Sequence, residues 1–231
     1  MKYFTKFELS LWIGSILLIT GSYLLFDEGS YMTLIASLIG VTGLIFAAKG
    51  NPFGQFLMVI FSLIYGIISY GFRYYGEMMT YLGMSMPMAI FSMISWLRNP
   101  YQGGKAEVKV NHLHRPEIIF LTFLTAIVTG IFYFILKYFG TANLFPSTLS
   151  VTTSFIAVYL TFRRSPYFGL GYACNDVILI ILWGLASLKD PSYLSVLVCF
   201  IVFLVNDIYG FISWKRMEQR QNQDILHKNE T

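Results

Sequence analysis

Eight apolar runs dominate this sequence, each close to the ~20 residues that a helix needs to cross a bilayer. They cover residues 9–26, 32–48, 53–72, 78–97, 117–138, 147–162, 167–188 and 192–214. In hydrocarbon every backbone N–H and C=O must be paired inside the protein, and runs this long do not suit barrel strands. Each run is therefore expected to be a helix. Of the 231 residues, 12% are charged, about half the share of an ordinary soluble domain. That excludes a soluble enzyme, a nucleic-acid module and a disordered chain. The two cysteines, Cys174 and Cys199, lie inside apolar runs. They form neither a disulfide framework nor a metal-ligand spacing.

Short polar breaks separate the runs: Asp27-Glu28-Gly29-Ser30, Lys49-Gly50-Asn51-Pro52, Arg163-Arg164-Ser165-Pro166 and Lys189-Asp190-Pro191-Ser192. Such clusters end one helix and start the next, so consecutive helices are antiparallel neighbours. With eight spans, 13 of the 16 Lys and Arg residues fall on the side of the N-terminus, here side A. Arg73, Lys137 and Lys189 fall on side B. The positive-inside rule makes side A cytoplasmic, with both termini inside. The net charge of +4 then reflects topology rather than a nucleic-acid partner. Lys2 and Lys6 before the first run also fit a secretory leader. The run is long for one and lacks a small-x-small cleavage site, so a retained helix is expected.

Two three-helix units look alike. Asn51-Pro52 recurs 114 residues on as Ser165-Pro166, and Ser95-Trp96-Leu97-Arg98 recurs 118 residues on as Ser213-Trp214-Lys215-Arg216. Spans two to four thus match spans six to eight, with span five as a linker. Parity makes both triplets run from side B to side A, so the repeats are parallel, as in one class of transporter. The expected architecture is an all-α membrane protein. An extra N-terminal helix (1–31) precedes the first triplet (32–98), then a side-A loop and linker helix (99–146), the second triplet (147–216) and a side-A tail (217–231).

An ionisable group near the bilayer centre costs roughly 2.5–3.5 kcal/mol on insertion scales, so such groups point to function. Asp176 sits mid-way along span seven beside Asn175, and Tyr172, Asp176, Leu179 and Trp183 share one helical face. Asn206 and Asp207 lie in span eight; Gln55 and Tyr65 are milder polar positions in span three. Carboxylate and amide groups suit a hydroxylated ligand, and aromatic rings suit a flat or cationic one. Trp12, Trp96 and Trp214, near span ends, are expected to be interface anchors. Pro87, amid the methionines of span four, is expected to break or kink that helix. No phosphate-binding G-x-x-x-x-G-K-[ST] is present, so no ATP-driven motor is expected. His112 and His114 read as a solvated loop rather than a metal site.

Tyr75-Gly76-Glu77-Met78 and the closing Ile208-Tyr209-Gly210-Phe211-Ile212-Ser213-Trp214-Lys215 resemble signatures of the PnuC-type vitamin transporters, over about residues 32–217. The resemblance implies a fold similar to the SWEET sugar transporters, a homotrimer and no cofactor. It also implies downhill uptake of a non-phosphorylated, ring-bearing vitamin precursor across the inner membrane, typically nicotinamide riboside, with kinase trapping in the cytoplasm. A same-family nucleoside or thiamine transporter is the alternative; from another class, the alternative is a lipid-processing membrane enzyme. Riboside-binding members carry Trp-x-x-Trp-x-x-x-(Asp/Asn) on the seventh span. Asp176 matches its polar position, Tyr172 stands at the second Trp and Gly169 at the first.

Overall fold

The computed structural model describes residues 3–26, 31–71, 75–102, 104–141 and 143–230. The predicted turn at 27–30 and Arg73 lie outside these. Among the described residues, eight helical segments are long and apolar enough to span a membrane. They are α1 (Lys6–Phe26), α2 (Tyr31–Ala48), α3 (Pro52–Gly71), a broken fourth span, α6 (Arg115–Tyr138), α7 (Leu144–Phe162), α8 (Phe168–Ser187) and α9 (Leu194–Glu230). The fourth span consists of α4 (Tyr75–Thr80), a π-helical segment (Tyr81–Ser85) and α5 (Met86–Arg98). A short antiparallel hairpin, β1 (Pro100–Tyr101) and β2 (Gly104–Val108), follows it.

Pro87 has no N–H to give to the turn before it. The break it imposes takes the form of the π segment, where the Met86 N–H reaches back five residues to the Tyr81 carbonyl. At the other end of the chain, α9 runs for 37 residues, about 55 Å at the helical rise. That is well beyond the ~30 Å hydrocarbon core, so its C-terminal part projects past the membrane on side A.

The two turns that sit 114 residues apart have the same geometry. Gly50 (φ 66°) and Arg164 (φ 56°) are both left-handed. The Gly50 N–H bonds the Ala47 carbonyl and the Asn51 N–H the Phe46 carbonyl. Arg164 and Ser165 make the same pair of bonds to Thr161 and Leu160. Each turn is thus a Schellman cap, followed by a proline in or just before the next helix.

The repeats clasp each other through their matching tryptophans. Trp96 Nε1 donates to the Thr161 carbonyl at 2.9 Å, and Trp214 Nε1 donates to the Ala47 carbonyl at 2.8 Å. Those carbonyls are equivalent positions of the two Schellman turns. The two indoles meet with ring centroids 5.1 Å apart. The ends of α2, α5 and α7 therefore converge with α9 on one side of the membrane, as parallel repeats require. Both tryptophans are fully buried, so the expectation of interface anchors is overturned for them. Their N–H groups are satisfied by the partner repeat instead of by the headgroup layer. Trp12, on α1, bonds Thr42 on α2 at 3.2 Å.

The repeats pack with matching neighbours: α2 on α3 and α7 on α8, then α5 on α7 and α9 on α2. The linker α6 leans on α7 and leaves most of its surface apolar and exposed. Outside the repeats, α1 covers the seam between α2 and α9. Its first turn is a capping box, with the Thr5 N–H donating to Glu8 at 2.6 Å and the Glu8 N–H to Thr5 Oγ1 at 3.2 Å. Glu8 also pairs with Lys49 at 2.9 Å and accepts from the Tyr209 hydroxyl at 2.9 Å. On the same face, Asn206 donates to Ser15 at 2.9 Å.

Two stability effects follow from this packing. A Cβ on Gly54 would lie 2.5 Å from the Ala47 nitrogen and 2.8 Å from the Gly43 carbonyl oxygen. Both are backbone atoms that cannot turn aside. Gly54→Ala should therefore push α3 off α2 and cost about 1–3 kcal/mol, read as a lower melting temperature in detergent; an unchanged melting temperature would show that the helices separate freely. Trp96→Phe and Trp214→Phe should each lose one indole hydrogen bond, about 1 kcal/mol. Because the bonds are equivalent, the two losses should match, and a strongly one-sided result in the same melt would contradict the symmetric clasp.

Candidate functional site

The periodicity of α8 decides which of its side chains meet at the centre. Tyr172, Asp176, Leu179 and Trp183 recur at helical spacing, and all four line a cavity of about 490 Å³ between the repeats. Small-molecule sites typically occupy roughly 300–1,000 Å³. Gln55, Met58, Phe61 and Ser62 reach this cavity from α3, Ser150 and Ser154 from α7, and Phe200, Phe203 and Asp207 from α9. The fourth span contributes Glu77, Thr80, Tyr81 and Ser85, the last two from the π segment. Such segments recur at functional sites because they turn side chains out of register.

The cavity opens on side B, where its lining includes Phe139, Gly140, Thr141 and Asn143 between α6 and α7, together with Tyr193. Its deep end lies at Gln55, Val158, Tyr172 and Asp207. Below that, side A is sealed by a cluster of Trp96, Val108, Phe168, Trp214 and Met217.

Asp176 and Asp207 are both 4% exposed, and their carboxyl groups contact each other across α8 and α9. Two ionised carboxylates in contact repel, whereas one shared proton turns the contact into a hydrogen bond. Asp176 Oδ2 is itself enclosed, with no hydrogen-bond partner among the described residues, while the side chain as a whole lines the cavity. Asn175 accepts from Ser150 and Thr153 hydroxyls, both at 3.0 Å, through Oδ1. That leaves its amide N–H₂ as the free end facing the cavity. A donor and an acceptor thus sit side by side on α8, with rings on either hand.

Six of the eight residues singled out in the sequence line the cavity: Tyr172, Asn175, Asp176, Trp183, Gln55 and Asp207. Asn206 lies outside the lining and bonds Ser15 and the Val202 carbonyl. Tyr65 also lies behind it, its ring 4.9 Å from that of Tyr81. Glu77 carried a signal only as part of a short motif, and the phenylalanines carried none. At Gly169, a Cβ would meet the Asp207 carbonyl oxygen and the Phe211 nitrogen, both at 2.7 Å. This position packs α8 against α9, and no ring fits there. Among the described residues, no three His, Cys, Asp or Glu side chains converge to hold a metal ion.

A family model described as nicotinamide mononucleotide transporter matches residues 30–216, leaving α1 outside it. The nicotinamide riboside transporter PnuC of Neisseria mucosa is 26% identical over 223 residues, spanning 94% of this chain and 84% of that protein. The nicotinamide riboside transporter PnuC of Haemophilus influenzae is 22% identical over 194 residues, spanning 84% and 83%. A crystal structure of the vitamin B3 transporter PnuC has the same fold, with a TM-score of 0.81 at 23% identity over 94% of each chain.

Asp176→Ala removes a carboxyl group from the cavity wall. The variant should insert and elute as the parent does, while solute uptake into proteoliposomes falls at least about tenfold, a loss of about 1.4 kcal/mol or more. Parental uptake in a correctly inserted Asp176→Ala protein would remove Asp176 from the site.

Proposed function

The chain belongs to the nicotinamide mononucleotide transporter family, and from this we propose that it takes up nicotinamide riboside, the non-phosphorylated form of that vitamin precursor. The observation that carries this reading is the charge of the cavity. Its lining includes Glu77, Asp176 and Asp207 and no Lys, Arg or His among the described residues. Phosphate recognition calls for cationic donors, above all arginine. A phosphate placed here would face three carboxyl groups in a low-dielectric site. A pyridinium ring, by contrast, gains from both the acids and the face of Tyr172.

In this reading Asp176 and Asp207 accept from ribose hydroxyls or balance the ring charge. Asn175 and Gln55 supply the amide contacts, Tyr172 at the deep end stacks on the flat ring, and Trp183, packed on Tyr193, lines the way in from side B. The two triplets rock about this midplane site to expose it alternately to side B and side A. Side A faces the cytoplasm, as the basic residues there support, and both termini lie with it in an inner-membrane protein. Transport runs downhill, and a cytoplasmic kinase traps the product by adding the phosphate that this cavity rejects. The protein itself carries out no covalent step and works as a homotrimer, as the family resemblance implies.

Uptake of labelled nicotinamide riboside by proteoliposomes tests the proposal. The expected result is saturable uptake that a hundredfold excess of nicotinamide mononucleotide leaves unchanged. Equal competition by the mononucleotide would overturn the charge argument. Competition by thiamine or a deoxynucleoside at lower concentration than the riboside itself would reassign the solute within the same site.

A further inference from the structure

We propose that residues 107–111 form the side-A gate, a strap laid across both repeats that must release the Gly50 turn of the first before solute can leave toward side A. The proposal rests on the chain being a transporter, but not on which solute it carries.

The strap joins the two Schellman turns at equivalent atoms. The Val108 N–H donates to the Gly50 carbonyl and the Asn111 N–H to the Arg164 carbonyl, both at 3.0 Å. Gly50 and Arg164 are the left-handed residues 114 positions apart, one in each repeat. Between the two bonds lie three residue steps of extended chain, at most about 3.3–3.6 Å each. Such a segment cannot stretch. If the repeats swing apart on side A, one of the two bonds must break. Val108 is fully buried among Trp96, Trp214 and Met217, so its departure also uncovers the floor of the sealed side.

The strength of the fastenings says which bond yields. Arg164 holds the strap a second time, its Nε donating to the Lys109 carbonyl at 3.2 Å. The projecting end of α9 holds it further. Gln221 donates to the Val108 carbonyl at 3.0 Å and accepts from the Val110 N–H at 2.9 Å. Arg220 pairs with Glu107. These attachments all belong to the second repeat or its extension. On the turn of the first repeat the strap has the single Gly50 bond. At its α5 end the strap is also held by the Lys109 N–H on the Asn99 carbonyl at 2.9 Å and by Val108 on Trp96. Of the two turns, however, Gly50 has the lighter hold, and its bond is the one that yields.

A cysteine at the deep end of the cavity reads this directly. Val158→Cys, in a background with Cys174→Ser and Cys199→Ser, is labelled with a membrane-impermeant maleimide from either side in oriented vesicles. Two loosened variants are compared with that parent. Val108→Pro deletes the N–H that Gly50 accepts, and Gln221→Ala deletes the latch on α9. Labelling from side A is expected to rise at least about fivefold in each variant while labelling from side B persists. If Val108→Pro does not fold, Gln221→Ala carries the test alone. Side-A labelling at the parental rate, with faster proteolysis within 107–111 showing that the strap has come loose, would overturn the proposal. A cavity that opens to side A on schedule but fails to carry nicotinamide riboside would leave the gate standing and refute only the solute.

Discussion

The fold depends on a reciprocal exchange of one hydrogen bond. Each repeat ends in a tryptophan, and each tryptophan gives its indole N–H to a carbonyl at the end of the first helix of the other repeat. Both carbonyls already accept from their own Schellman turns. The turn geometry and the clasp therefore support each other, and a change to either loosens both. In a bilayer there is little hydrophobic drive to bring helices together, so close packing and a few satisfied polar contacts decide which helices meet. This pair of contacts sets the axis about which everything else is arranged. The cavity lies above it and the strap below.

Much of this was legible in the chain. Long apolar runs with turn chemistry between them placed the spans to within a few residues, except that the last helix continues to Glu230, where a tail was expected from 217. Charge asymmetry and span parity gave the parallel repeat, because neither depends on distant contacts. The polar face of α8 was also readable, since the spacing of Tyr172, Asp176 and Trp183 is local. What could not be read depends on residues far apart in sequence. Asp207 follows Asp176 by a whole helix and a turn, and only the packing of α9 on α8 brings their carboxyls together. Trp96 and Trp214 have the composition of interface anchors, and only the partner carbonyl reveals that they are interior. Glu8 looks like one more charge near a terminus until Lys49 and Tyr209 close around it.

The repeats have kept their scaffold and divided their chemistry. At the equivalent offsets, Asp176 corresponds to Ser62, Tyr172 to Met58 and Asp207 to Ala89. The second repeat thus supplies the buried carboxyl pair, while the first supplies smaller and more apolar side chains to the opposite wall. Gln55 and the acid of the fourth span, Glu77, are the exceptions. A pocket built this way orients its ligand, because its two walls differ although the backbones around them match. A symmetric pair of walls would accept a ligand in either of two opposed poses.

The first helix breaks the symmetry in a different sense. Two seams join the repeats, α2 with α9 and α5 with α7, and α1 lies along the first of them only. There the Glu8 carboxylate holds Lys49 and Tyr209 together, and Asn206 is tied to Ser15. The second seam is tied instead by bonds made directly between the repeats, Ser95 to the Phe162 carbonyl at 2.9 Å and Arg164 to Ser95 at 2.8 Å. The two seams are thus held by different means, the first by a helix from outside the repeats and the second by the repeats themselves. A change confined to α1 loosens one seam and leaves the other standing.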